Sequence, residues 1–200
     1  YEDGVVFYLD GVARPGMAAA GRTNRAAHFA GGRMKAAAHL GRAYSVEFWF
    51  WNGIPSGVRP VTGYLFSRGK DGVEGAPGDH LGTGGTEPYG GRLIVFNGNA
   101  GKELLAGKTE IGMRIWHHVL LVRDGKRVAV YLDFRREPEI AGEITPGCGP
   151  AERQIFLGGR NDHFANFEGK LDEAAVYDRA ISPDELSQHA AAMRHPPVAN

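Results

Sequence analysis

Glu47, Trp49 and Trp51 alternate along one stretch of chain, and in an extended strand residues two apart share a face. Indole faces pack on the C–H groups of sugar rings, and a carboxylate beside them accepts hydroxyl protons, so this spacing suits a carbohydrate ligand. Val46, Phe48 and Phe50 take the other face and form the natural core. The competing reading is that one or both indoles fill the core or lie under a loop. Arg68, His80, Tyr89 and Asn97 complete the candidate ligand contacts. Of these, His80 and Tyr89 fall in a long glycine-rich stretch, Gly69–Gly91, with Asp71, Glu74, Asp79 and Glu87. Loops of that length are often binding loops, although a solvated insertion is the simpler account of their charges.

Other polar residues invite plainer readings. His117 and His118 are adjacent on a strand and point to opposite faces, so they do not ligate one metal together. His118 shares parity with Leu120 and Val122 and reads as a hydrogen-bonded core histidine. Arg160, Asn161, Asp162 and His163 form a polar loop after Gly159, for which a turn is the plainer reading and a rim contact the functional one.

Catalysis finds no support in the motifs. Glycoside hydrolysis needs two carboxylates at a set separation. Glu137 and Glu139 have strand spacing, but Pro138 between them disfavours a central strand. Glu47 has no acidic partner on its strand. No G-x-S-x-G, H-E-x-x-H, Walker A or C-x-x-C motif is present.

Composition sets the frame around these residues. The chain has 200 residues, 23 Lys plus Arg and 23 Asp plus Glu, for a formal net charge of zero. That balance argues against a nucleic-acid partner, which is normally met by excess positive charge. No apolar run approaches a membrane span, so no membrane insertion is expected. The 30 glycines, about twice the usual roughly 7%, imply many tight turns. A lone cysteine, Cys148, forms no internal disulfide.

The elements that must position the candidates are mostly short strands. They are expected over Tyr1–Asp10, Ala26–Phe29, Ser45–Trp51, Tyr64–Arg68, Arg92–Asn97, Ile155–Leu157 and Gly169–Tyr177. Trp116–Arg123 and Arg127–Asp133 flank Asp124-Gly125 as a hairpin. Glu137–Pro150 reads as loop. One helix is signalled, from Pro183 to about Met193, by Ser182 at N-cap and Glu185 at N3.

Ordered segments carry a resemblance. Ala27-His28-Phe29-Ala30-Gly31, Tyr44–Phe50, Trp116-His117-His118-Val119, Val130-Tyr131-Leu132-Asp133, Phe156-Leu157-Gly158-Gly159 and the run Phe167–Ser182 resemble the laminin-G-like branch of the concanavalin A-like lectin/glucanase superfamily. Phe134 departs from it, standing where the family often has glycine, and so does the enlarged Gly69–Gly91 stretch. The resemblance implies an all-β jelly-roll sandwich of two antiparallel sheets, one concave, with a short C-terminal helix. It also implies a structural calcium held by Asp172 with Asp10, Ca2+ taking six to eight oxygens. The expected organisation is a domain over 1–193 and a linker over 194–200, part of a longer exported chain with an extracellular, periplasmic or cell-envelope setting. The expected function is a non-catalytic binding module for carbohydrate. A protein-interaction or architectural domain is the alternative, and a divergent glycosidase the more distant one.

Overall fold

The computed structural model describes residues 5–194 apart from 11–23, with Val5–Asp10 and Arg194 described as backbone only. Thirteen strands and one helix are present among these residues. The strands are β1 (Val5–Asp10), β2 (Arg25–Ala30), β3 (Met34–Ala37), β4 (Ala43–Asn52), β5 (Val61–Arg68), β6 (Asp79–Gly84) and β7 (Arg92–Phe96). They continue with β8 (Leu104–Glu110), β9 (Trp116–Asp124), β10 (Arg127–Leu132), β11 (Ile140–Glu143), β12 (Gln154–Leu157) and β13 (Glu168–Tyr177), and α1 spans Pro183–Arg194.

Alternation in the sequence builds the sandwich. The seven-stranded antiparallel sheet runs β1-β2-β13-β4-β9-β10-β11, and the six-stranded one β3-β12-β5-β6-β7-β8. Val46, Phe48 and Phe50 of β4 do turn inward, meeting Leu65, Phe66, Leu81, Leu93, Val95 and Ile155 of the other sheet. Their burial is the main driving force for the pairing of the sheets.

Two stretches expected as loop are partly strand. β6 lies inside Gly69–Gly91 as a wholly buried strand between β5 and β7, and β11 lies inside Glu137–Pro150 as the edge strand beside β10. β3 and β8, unmarked by sequence pattern, close the edges of the six-stranded sheet. The β9–β10 hairpin forms as expected, with Asp124 paired to Arg127 and Gly125-Lys126 as the two loop residues.

The outer face of the seven-stranded sheet is partly covered by α1. The expected capping box is reciprocal: Glu185 N donates to Ser182 Oγ at 3.2 Å, and Ser182 N donates to Glu185 Oε2 at 2.9 Å. Leu186 and Ile181 then pack on Leu120 and Tyr131 in a second apolar cluster. Leu186→Ala is expected to cost about 2–5 kcal/mol, read as a lower urea midpoint at unchanged slope. A loss below about 0.5 kcal/mol would mean that the helix is not docked there.

Phe134 also covers that face, at an odd backbone position. Its φ is +58°, and that of Asp133 is +52°, in the left-handed region that explains the family's glycine. The ring is retained by packing, stacked on His118 at 3.8 Å between centroids and edge-on to Trp49 at 5.8 Å.

Candidate functional site

The face around Glu47 is not an open groove. Glu47 is only 5% exposed. Its carboxylate accepts Tyr177 Oη at 2.6 Å and faces His189 Nδ1 at 3.1 Å and His118 Nε2 at 3.4 Å. Burial alone would raise its carboxyl, but hydrogen bonds from His118, Tyr177 and His189 outweigh that and hold it at about 2. Glu47 therefore anchors α1 to the sheet instead of meeting ligand. His118 is buried, as expected, but on this outer face beneath Phe134.

The other expected contacts disperse. Trp49 lies under Phe134 and against His118. Trp51 is half-buried beside a groove of about 400 Å³ with His28, Arg114 and Glu168, and Lys170 Nζ sits 5.0 Å from its ring centroid. Arg68 is 2% exposed and donates to the carbonyls of Leu40, Gly41 and Glu152. Asn97 is buried and donates to Glu103 Oε2 and the Thr145 carbonyl. Tyr89 is exposed, in the connection between β6 and β7. None of Glu47, Arg68, His80 or Asn97 presents a free polar group on an open face.

Asp172 accepts Asn24 Nδ2 at 2.6 Å and Glu173 N at 2.9 Å. Both carboxylate oxygens of Asp172 thus take N–H donors, and among the described residues no group of three or more His, Cys, Asp or Glu could hold a metal ion. The side chain of Asp10 lies outside the described residues.

His80 sits on the outer face of the six-stranded sheet, in a cross-strand row with Phe156, Ser67 and Phe96. It is fully buried, its Nε2 donating to the Ala76 carbonyl at 2.9 Å and its Nδ1 facing Ser67 Oγ at 2.6 Å. Burial pushes the imidazole down to about 4 against the upward pull of the Ala76 carbonyl. Held neutral when folded and ordinary when unfolded, it stabilises fully above pH 6.5 and loses that contribution as pH falls toward 4. Urea titrations should show roughly 3 kcal/mol lost across that window, with the slope reduced in His80→Asn. Equal slopes in both proteins would contradict this.

The same face carries the site with ligand-like chemistry. Loops 70–78, 97–103 and 159–166 close over it and are tied together. Gly72 N donates to the Asn161 carbonyl, Asn99 N to the Gly75 carbonyl, and Asn161 Nδ2 to the Lys70 carbonyl. On this base Arg160 forms a bidentate pair with Asp162, at 2.7 and 2.6 Å. Its guanidinium lies 5.2 Å from the Tyr64 ring centroid below and 4.7 Å from that of Phe164. Arg160 Nη1 also reaches Asn99 Oδ1 at 3.3 Å. Phe164 is 46% exposed, and its neighbours His163 and Ala165 have φ of +63° and +49°. Two strained residues thus hold one apolar ring out to solvent over a fixed ion pair. Arg33, over the Phe156 ring and paired with Asp71 at 2.6 Å, extends the polar surface.

The polar loop Arg160, Asn161, Asp162 and His163, for which the sequence suggests a turn before a rim contact, thus carries the site, together with Phe164, which no periodic pattern marks. The available signal was an aromatic residue within a polar loop, between Gly159 and Asn166.

Two antiparallel sheets sharing one apolar core, a helix on one outer face and loops over the other define a lectin-type β-sandwich. The chain belongs to the laminin-G type of the concanavalin A-like lectin/glucanases superfamily, whose family profile matches residues 32–187. No curated protein matches it in sequence. Among solved structures it is similar to domain 4 of AbnA, a GH43 extracellular arabinanase from Geobacillus stearothermophilus, in complex with arabinotriose. That match has TM-score 0.69 and 19% identity, over 92% of this chain and 81% of that one. It is also similar to the CBM40 of Ruminococcus gnavus IT-sialidase bound to α2,3-sialyllactose, with TM-score 0.58 and 15% identity over 94% and 95% of the two chains. Mouse laminin α1 domains LG4-5 match with TM-score 0.52 and 14% identity, over 76% of this chain and 40% of that one. These likenesses establish the fold. No helix of the described residues is long and apolar enough to cross a membrane.

Proposed function

We propose that this domain is a non-catalytic carbohydrate-binding module whose site is the loop cluster over the six-stranded sheet. The observation that carries the reading is Phe164, an exposed ring on the Arg160–Asp162 pair. A sugar ring stacks its C–H face on Phe164, while Asp162, Asn99 and Arg160 meet its hydroxyl groups. Strained backbone and cross-tied loops preorganise the surface, which limits the ordering cost of binding. The arabinotriose and sialyllactose complexes of the two structural neighbours support a glycan ligand. An exported or cell-envelope setting, within a longer chain, goes with this function.

Catalysis has no place in the reading. Glu47 is engaged by His189 of α1 and Tyr177 of β13, and Glu139 accepts the N–H groups of Lys108 and Thr109, so neither is poised as a general acid. A second reading, a protein-interaction surface, is favoured by exposed Met113 and Ile115 flanking Arg114 at the Trp51 groove. Screening the domain on an array of arabinan, sialylated and uronic-acid oligosaccharides separates the two. Saturable binding to at least one glycan class supports the module, and none at millimolar ligand favours the protein surface.

A further inference from the structure

One end of the sandwich holds a cavity of about 310 Å³ whose lining includes none of Asn99, Arg160, Asp162 and Phe164, so it is independent of the reading above. Its walls include Arg42, Arg68, Arg123 and Lys126, against one carboxylate, Asp79. Asp79 is already engaged. It forms an ion pair with Arg123, accepts Tyr44 Oη at 2.7 Å and accepts Gly147 N at 3.2 Å. Arg68 lies beneath, 2% exposed, its partners among the described residues all backbone carbonyls plus the Tyr44 ring at 5.0 Å. Carbonyl dipoles satisfy its N–H groups without cancelling its charge. Neither Glu152 nor Asp124 lines the cavity, and Glu152 accepts the N–H groups of Arg153 and Gln154. Burial pushes the Cys148 thiol in the wall up to about 12, so it adds no negative charge.

Arg42 and Lys126 are exposed at the mouth. The lining therefore carries three more positive charges than negative ones, two of its cations being desolvated where charge interactions are strongest. A buried charge without a counter-charge is costly, and a bound anion relieves it. The volume accommodates a body of monosaccharide size. We propose that this pocket binds a small sugar acid, its carboxylate held between Arg42 and Lys126 over the buried arginines.

The test is titration of the 15N-labelled chain with glucuronate, with glucose, acetate and sulfate as comparison ligands. Saturable shifts at the Gly41, Gly125 and Cys148 amides with glucuronate are expected, with glucose producing none there. Acetate and sulfate should bind at least tenfold more weakly. Arg42→Ala with Lys126→Ala, both outside the core, should weaken glucuronate at least tenfold, while Phe164→Ala leaves these shifts unchanged. Any of four results overturns the proposal: no shift with glucuronate at 50 mM, roughly an upper bound for a useful site, equal binding by the double variant, equal binding of glucose, or sulfate or acetate binding as tightly as glucuronate.

Discussion

Phe164→Ala should weaken binding of the recognised oligosaccharide at least tenfold, leaving the melting temperature within about 2 °C of wild type. The first part follows from the loss of the exposed ring, since aromatic stacking anchors usually carry much of a site's affinity. The second follows from the exposure of the ring, because truncating it opens no core cavity. Phe164→Trp should retain binding, as the larger indole keeps the stacking face. Isothermal titration with the best oligosaccharide from the array checks both. Unchanged affinity in Phe164→Ala would remove this loop cluster from consideration.

Asp79→Ala should be among the most destabilising single changes in the domain, costing about 3–5 kcal/mol. It strips the ion-pair partner from Arg123, which is 2% exposed, and leaves Tyr44 Oη and Gly147 N without an acceptor. Asp79 opens β6 of one sheet and Arg123 lies on β9 of the other, so the pair pins the two sheets together at one end. The double change Asp79→Leu with Arg123→Met should recover part of the loss, because removing both charges avoids burying one alone. Urea unfolding of both variants beside the wild type measures this. A single-variant loss under 1 kcal/mol would show that water reaches the pair.

The strands with regular alternation were legible because one face of each is continuous core: β4, β9 and β10 could be read directly from their side chains. β6, Asp-His-Leu-Gly-Thr-Gly, was not legible. Its glycines looked like loop, yet they answer close contact: a Cβ on Gly82 would fall 2.8 Å from the Gly63 carbonyl oxygen, and one on Gly84 2.3 Å from that of Tyr89. The Glu47–Trp49–Trp51 face was assigned correctly as the one turned away from the sandwich core. Its role was misread because strand parity cannot say that a helix far along the chain would dock on it, which the contact of Glu47 with His189 of α1 establishes. The Phe164 platform depends on three loops meeting across the sheet, through Asn99, Arg160 and the carbonyls of Lys70 and Gly75. Such convergence leaves no periodic trace in the chain.

Glycan binding on the loop-covered face of the six-stranded sheet is read out by mapping amide shifts with the best-binding oligosaccharide. A contiguous set is expected at Asp71, Asn99 and Arg160–Ala165, absent in Phe164→Ala. Shifts centred instead on Trp51, Arg114 and Trp116, with the 160–165 loop silent, would contradict it.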